Sequence, residues 1–179
     1  MKISEALITK LSKVDQKSYM IALYPSKKSI LDITKFCKDL DLKGEKILTP
    51  EEFHVTLRYW LQEDFNDVDK VKQELDDKVN FDRADSFGKP VKLDLLGDDK
   101  ALVIKLESKY ITELQKKVDS VLQGLGIPPS DFDTFIPHLS LVYGFEGDLP
   151  KDIPDFDIEF DRLKFVNNDD EVFWDFSGD

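Results

Sequence analysis

The chain contains one short pattern twice, as Phe53-His54-Val55-Thr56-Leu57-Arg58-Tyr59 and as Pro137-His138-Leu139-Ser140-Leu141-Val142-Tyr143. Each copy runs histidine, apolar residue, hydroxyl residue, apolar residue, and continues with residues typical of a β-strand. The sequence has no histidine outside these two copies. Ser and Thr make up 17 of 179 residues, so chance would place a hydroxyl two positions after both histidines less than about one time in a hundred. The repetition therefore indicates a shared role.

Side chains alternate across a β-strand, so each copy predicts one polar and one apolar face. The first copy places on one face His54, Thr56 and Arg58, and on the other Val55, Leu57 and Tyr59. The second places His138, Ser140 and Val142 opposite Leu139, Leu141 and Tyr143. Each strand is therefore expected to bury an apolar face and to present an imidazole beside a hydroxyl on the other.

In these two motifs the sequence resembles the 2H phosphoesterase superfamily, which is named for a pair of H-x-[ST]-hydrophobic motifs. The resemblance implies an α+β fold of two lobes related by a pseudo-twofold axis, with antiparallel sheets facing across a central cleft and helices outside. Members cleave or form phosphodiesters in RNA ends, 2′,3′-cyclic phosphates and cyclic nucleotides without a metal. The first motif, with Leu57-Arg58-Tyr59, is most similar to the RNA 2′,3′-cyclic phosphodiesterase branch, the 2′-5′ RNA ligase-like proteins.

Length and periodicity predict a single domain over residues 1–179. The lobe with the first motif is expected over roughly 19–85 and the lobe with the second over roughly 90–176, with exchange of strands between them left open. Helices are predicted over 1–14, from Ser29 to about Leu40, from about Asp67, and from Ser108 to Gly124–Gly126. Besides the motif strands, strands are predicted over 19–24, 91–96, 101–106, 158–166 and 171–176, with Gly88 and Pro90 in a lobe connection or mobile loop.

Composition narrows the class of partner. The 25 basic and 37 acidic residues give a net charge of −12, which disfavours duplex nucleic acid and is compatible with a small nucleotide. The single cysteine, Cys37, excludes an internal disulfide and suits a reducing compartment. The start lacks a signal-peptide core, and no apolar run has the length of a membrane span. We expect a cytoplasmic monomer that does not bind membranes.

The motif residues have the chemistry that phosphodiester cleavage needs. One imidazole accepts a proton while the other donates one, so His54 and His138 are predicted to be catalytic, and the sequence favours neither as the base. Thr56 and Ser140 are predicted to donate hydrogen bonds to the non-bridging phosphate oxygens. Arg58 is either a phosphate ligand or half of an ion pair. No metal and no cofactor is expected.

A nucleotide ligand also needs an aromatic surface on which its base can stack. The candidates for this role are Tyr19, Tyr24, Tyr143, Phe173 and Trp174. The competing interpretation of each is packing in the hydrophobic core. Trp174 is the most notable of them because it lies in a short terminal strand with polar flanks.

Two substrates remain open for an enzyme of this type. One is the 2′,3′-cyclic phosphate of a nucleoside or RNA end, as the first motif suggests. The other is a cyclic oligonucleotide messenger, the substrate of phage-encoded 2H proteins that destroy signals of antiviral defence. A third hypothesis is a non-catalytic module that binds and sequesters nucleotides, although such a module does not need two titrating bases.

Overall fold

The computed structural model describes residues 17–63, 65–81, 85–129, 134–167 and 170–176. These ranges contain three α-helices: α1 (Lys27–Lys38), α2 (Val68–Lys78) and α3 (Lys109–Gly124). They contain eight strands: β1 (Lys17–Pro25), β2 (Lys43–Ile47), β3 (Val55–Gln62), β4 (Phe87–Leu96), β5 (Ala101–Glu107), β6 (His138–Glu146), β7 (Ile158–Asn167) and β8 (Asp170–Asp175). The predicted helix over residues 1–14 lies outside the described residues.

Serine side chains begin two of the helices. The Ser108 hydroxyl accepts a hydrogen bond from the Ile111 amide at 3.2 Å, which confirms the predicted start of α3. For α1 the prediction of a Ser29 cap was wrong, because the Ser26 hydroxyl accepts the Ser29 amide at 3.2 Å. Ser29 lies inside the first turn, and its own hydroxyl accepts the amide of Glu159 at 2.8 Å. The first turn of α1 is therefore tied to the start of β7.

The helices pack on one face of the sheet. The largest hydrophobic cluster combines Ile33 of α1, Leu75 of α2 and Val118 of α3 with apolar side chains from the strands. In the motif strands, Val55 and Leu139 are fully buried on this face. The opposite face carries the polar side chains of both motifs, and we refer to it as the histidine face.

The strands form a continuous antiparallel sheet of eight, in which six close a ring. The ring runs β1-β3-β6-β5-β4-β7, and β7 pairs again with β1. Two narrow junctions join its halves. The pair Val55–Leu139 links β3 to β6, and the pairs Phe87–Glu159 and Gly88–Ile158 link β4 to β7. The predicted α+β class with antiparallel strands and external helices is confirmed, and the two expected sheets are continuous with each other.

Each half of the ring carries one motif strand. The first half consists of β3, β1, β7 and β8, and the second of β4, β5, β6 and β2. The division of the chain near residues 85–90 does not coincide with these halves, because β7 and β8 pair with β1 while β2 pairs with β6. Two local predictions were also wrong. Gly88 and Pro90 lie in β4 rather than in a loop, and β2, whose sequence is KGEKI, was not predicted as a strand.

Candidate active site

The two motif strands are direct neighbours. Val55 and Leu139 form a register pair in which both side chains point into the core. Extending this antiparallel register by one residue places Thr56 across from His138 and His54 across from Ser140. The two histidines are then diagonal neighbours on the histidine face, at the roughly 7–8 Å that separates such pairs. The sequence-predicted quartet is thus brought together by this single junction.

Both histidines are held by the same backbone contact. Nδ1 of His54 lies 2.6 Å from the carbonyl oxygen of Glu52, and Nδ1 of His138 lies 2.8 Å from that of Ile136. In each case the carbonyl belongs to the residue two positions earlier. Because a carbonyl only accepts hydrogen bonds, Nδ1 carries the proton as donor and Nε2 remains as the reactive nitrogen. The repeated motif therefore fixes the same tautomer twice.

The surroundings of His54 favour its neutral form. Burial lowers the pKa of the imidazole, the Glu52 carbonyl opposes this by accepting the Nδ1 proton, and the nearby charge of His138 lowers the pKa further. The ring of Tyr24 stacks on His54 with centroids 5.6 Å apart and an interplanar angle of 28°. This aromatic neighbour removes part of the imidazole from solvent and restrains its plane.

A β-bulge occurs at the same position in both motifs. Ile21 pairs with Arg58 and Ala22 with Thr56, which leaves Leu57 unmatched in the register. In the second half, Leu102 pairs with Val142 and Val103 with Ser140, which leaves Leu141 unmatched. Each bulge lies three residues after its histidine. Beyond it the alternation is reversed, because one extra residue shifts every later side chain to the other face.

The bulges correct the predicted position of Arg58 and Val142. Both residues turn to the core face rather than sharing the face of the histidines, with Arg58 6% exposed and Val142 fully buried. Arg58 forms an ion pair of 3.2 Å with Asp119 of α3, and its other terminal nitrogen donates to the Pro128 carbonyl. Of the two interpretations of Arg58, the structure therefore places it in an ion pair between β3 and α3, away from the histidine face.

The motif hydroxyls remain on the histidine face. Thr56 and Ser140 are both half-buried. The hydroxyl of Thr56 lies 3.7 Å from the sulfur of Met20, which is a weak acceptor that a phosphate oxygen would readily replace.

The aromatic candidates separate into three groups. Tyr19 is 2% exposed and stacks on Trp60 at 5.3 Å in the core, so it does not offer a surface to a ligand. Trp174 stacks on Phe81 at 5.9 Å and donates its indole N–H to Asp76 of α2, so it packs on the helix side. The remaining three, Tyr24, Phe173 and Tyr143, lie on the histidine face or at its rim: Tyr24 on His54, Phe173 under Arg162, and Tyr143 opposite Lys46.

Sequence reasoning missed the cations of the histidine face. Lys164 pairs in register with Ala22, which itself pairs with Thr56, and its ammonium lies 4.3 Å from the centroid of the Tyr24 ring. Lys105 pairs in register with His138 and forms an ion pair of 2.7 Å with Asp94. That hydrogen bond holds the pKa of Asp94 at about 2. A signal was present for Lys105, which interrupts the apolar run from Ala101 to Leu106. Lys164 lies among other polar residues of β7, so the sequence did not single it out.

Comparison with known proteins gives structural matches without sequence matches. No family model matches the chain, and no curated protein sequence does. E. coli LigT in its apo form is 12% identical with a TM-score of 0.63, covering 91% of this chain and 99% of that one. A structure described as a phosphoesterase is 10% identical with a TM-score of 0.64, covering 90% and 96%. TT0787 of Thermus thermophilus is 14% identical with a TM-score of 0.57, covering 88% and 94%.

The chain has the 2H phosphoesterase fold. At 10–14% identity the likeness to these structures concerns the fold. In this chain the 2H phosphoesterase fold brings both H-x-[ST] motifs to adjacent strands on one face. Within the described part of the chain, no helix has the length and apolarity required to span a membrane.

Proposed function

We propose that the protein is a phosphodiesterase that cleaves a small nucleotide phosphodiester by acid–base catalysis with His54 and His138. The observation that supports this most strongly is the pair of imidazoles on adjacent strands, each with Nδ1 on a backbone carbonyl. A structural histidine needs no such matched neighbour. Two imidazoles on one face, each with Nδ1 engaged and Nε2 left to react, are the arrangement that proton transfer to and from an in-line displacement requires.

His54 is assigned the role of base. Burial lowers the pKa of this imidazole and so favours its neutral form, and Nε2 accepts the proton of the attacking hydroxyl or water as the new P–O bond forms. His138 enters the step as the imidazolium, with Nδ1–H on the Ile136 carbonyl, and donates its Nε2 proton to the leaving oxygen as the old P–O bond breaks. Each turnover leaves His54 protonated and His138 neutral, and exchange of protons with solvent restores the starting state.

The remaining groups stabilise the charge of the pentacovalent transition state. Thr56 and Ser140 donate hydrogen bonds to the non-bridging oxygens from positions beside the two histidines. Lys105 and Lys164 supply the positive charge that the sequence had suggested for Arg58. Both lie on the histidine face. Lys105 is one strand away from the second motif, and Lys164 is two strands away from the first. The scheme routes no step through a metal ion or a cofactor.

Two classes of substrate fit this chemistry. One is a 2′,3′-cyclic phosphate at a nucleoside or RNA end, and the solved structures of LigT include one complexed with 3′-AMP. The other is a cyclic oligonucleotide messenger, which the acidic net charge of −12 favours over a long polymer. Destruction of such a messenger would give the protein a role against antiviral signalling.

The decisive experiment is turnover of a substrate panel in the presence of EDTA. The panel contains nucleoside 2′,3′-cyclic phosphates, dinucleotides and cyclic dinucleotides, each offered to wild type and to His54→Ala and His138→Ala. We expect turnover in EDTA by wild type and its loss in both variants. Activity that disappears in EDTA and returns with Mg²⁺, Mn²⁺ or Zn²⁺ would overturn the mechanism, and tight binding without turnover would support a sequestering module instead.

A further inference from the structure

Each motif ends in a tyrosine that the β-bulge turns to the histidine face. Tyr59 follows His54 by five residues, and Tyr143 follows His138 by five. Simple alternation from the histidines would put both in the core with Val55 and Leu139. Because a bulge intervenes in each strand, both tyrosines emerge on the side of the hydroxyls instead.

Exposure supports this change of face. Tyr59 is 55% exposed and Tyr143 is 38% exposed, whereas Arg58, the residue just before Tyr59, is buried. Tyr59 pairs in register with Met20, the residue that contacts the Thr56 hydroxyl. A single exposed tyrosine on a strand is common and needs no explanation. Here two exposed tyrosines occupy the same position of a duplicated motif. A bulge three residues after the histidine turns each of them outward, so their exposure has a common structural cause.

The antiparallel register places the tyrosines on opposite sides of the histidine pair. Thr56 lies across from His138 in the extended register, and Tyr59 lies three residues further along β3, about 10 Å at ~3.3 Å per residue. By the same count Tyr143 lies about 10 Å beyond Ser140, on the side of His54. The face therefore carries one aromatic ring on each side of the histidine pair, each about three residues along its motif strand, and each interval is comparable with the length of one nucleoside.

We propose that Tyr59 and Tyr143 are a matched pair of base-stacking residues, so that the preferred substrate carries a nucleoside on each side of the scissile phosphate. This inference rests on the proposed function and selects within it. A phosphodiester that joins two nucleosides occupies both rings, whereas the 2′,3′-cyclic phosphate of a single nucleoside occupies one. Any base stacks on tyrosine, so the pair selects for the number of nucleosides rather than for base identity.

The assignment of acid and base gives the pair a direction. His138 donates its proton to the leaving oxygen, and the tyrosine on its side of the face is Tyr59. The leaving nucleoside therefore stacks on Tyr59. Tyr143, on the side of the base His54, stacks the nucleoside that retains the phosphate, and it has Lys46 as its register partner.

The test compares Tyr59→Leu, Tyr143→Leu and the double variant on two substrates, a diadenosine monophosphate and adenosine 2′,3′-cyclic phosphate. With the dinucleotide, each single variant should lower kcat/KM by about 5- to 150-fold, the range of base–aromatic stacking, and the double variant by about the product. With the cyclic phosphate, the double variant should lose no more than the more sensitive single variant. Tyr→Phe variants should keep the activity, because stacking needs the ring and not the hydroxyl.

Leu61→Ala is the matched control, since Leu61 lies two residues beyond Tyr59 on the same face and is also exposed. It should leave dinucleotide turnover within twofold of wild type. Thermal melting of every variant separates lost stacking from lost folding. If the tyrosine variants cleave the dinucleotide as well as wild type while His54→Ala does not, the stacking pair is overturned and the proposed function stands.

Binding measurements keep the inference testable if no substrate turns over. Equilibrium dialysis of a non-cleavable phosphorothioate dinucleotide should show a Kd raised about 5- to 150-fold in Tyr59→Leu and Tyr143→Leu relative to wild type. An unchanged Kd in both variants would overturn the pair. Absence of turnover with every substrate of the panel would overturn the proposed function alone.

Discussion

At the scale of single residues, His54 and His138 are equivalent in sequence and unequal in environment. The same carbonyl contact fixes both tautomers. His54 stacks on Tyr24, and burial lowers its pKa. His138 instead has Lys105 of the neighbouring strand β5 as its register partner. In the proposed mechanism, these different surroundings let two groups of the same type take different roles.

The different surroundings of the two histidines should be visible in the pH dependence of the rate. A base is active when deprotonated, so the rate rises with pH through the pKa of His54, and because that pKa is lowered the rise lies below the ordinary value of about 6.5. Loss of the proton donor at higher pH gives the second limb of a bell. His54→Ala should lower kcat by about 10²- to 10⁴-fold and remove the acidic limb.

The matching control is His138→Ala, which should keep the acidic limb and lose the alkaline one. Rates must be measured in single turnover, so that product release does not mask the chemical step. A rate that stays flat from about pH 5 to 9, across the histidine range, would contradict two-histidine catalysis.

Arg58 should act on stability and not on chemistry. Arg58→Met removes the cation from a nearly buried pair and leaves Asp119, which is partly exposed and still bound by Gln123 at 3.1 Å. We expect a loss of about 2–3 kcal/mol in the free energy of unfolding, below the 3–5 kcal/mol of a fully buried pair. Urea unfolding measures the loss, and kcat of the folded fraction should be unchanged.

Arg162→Met is the control for Arg58, because the pair of Arg162 with Asp175 is exposed on both sides. Its effect on the free energy of unfolding should be about 0–1 kcal/mol. A stable Arg58→Met protein with a strongly reduced kcat would instead support the interpretation of Arg58 as a phosphate ligand.

At the scale of elements, periodicity was sufficient for α3 and for strands β4 and β5, whereas the helix predicted over residues 1–14 lies outside the described residues. The regular apolar positions from Ile111 to Leu122 predicted α3, and two apolar runs around Gly97 predicted the hairpin of β4 and β5. β2 was not predicted, because Lys43–Ile47 is mostly charged and exposed. It becomes a strand through its hydrogen bonds to β6. Its tertiary partner, rather than its own composition, makes it a strand.

The bulges mark the limit of what the sequence could predict at the site. The histidines and hydroxyls lie before the bulge, so alternation placed them correctly relative to Val55 and Leu139. Arg58 and Tyr59 lie after it and were assigned to the wrong faces. A bulge changes the backbone register without a fixed residue signature, and Leu57 is apolar whether or not it is paired.

Gly44 should be indispensable to the pairing of β2 with β6. A Cβ at this position would overlap Cγ1 of Val142 and lie 2.8 Å from the carbonyl oxygen of Gly144. Since the backbone cannot yield as a flexible side chain does, Gly44→Ala should lower the free energy of unfolding by about 1–3 kcal/mol. Chemical denaturation measures the change.

Gly124→Ala is the corresponding control, because among the described residues a Cβ at this position meets nothing within 4 Å outside its own helix turn, and the residue ends α3. Alanine favours the helix, so this variant should be neutral or more stable by up to about 1 kcal/mol. Equal effects of the two substitutions would contradict the close approach of β2 to β6.

At the scale of the whole molecule, the net charge of −12 opposes an anionic substrate. The nearby cations do not offset this at long range, because Lys105 and Arg162 are each paired with a carboxylate. Salt shortens the reach of the repulsion from about 30 Å at 0.01 M to about 8 Å at 0.15 M. We therefore expect kcat/KM to rise with ionic strength over this range, with kcat unchanged.

A neutral competitor supplies the control for the salt effect. Inhibition by a nucleoside, which carries no phosphate, should not depend on ionic strength. A fall of kcat/KM with added salt would mean that local cations, and not the net charge, dominate the approach of the substrate.

The pairing of β1 with β7 also sets an order for the synthesis of the protein. Ala22 meets Lys164 only after another 142 residues have been added (164 − 22 = 142), which takes roughly 7–30 s at ~5–20 residues per second on a ribosome. Strands β4, β5 and β6 pair with partners close in sequence, so we expect them to pair before β7 has been added. On this order, His138 lies in a sheet with β5 at a stage when β1, the strand of Tyr24, does not yet have β7 as its partner. Under the proposed function, the nascent chain should therefore show no turnover until β7 has been added.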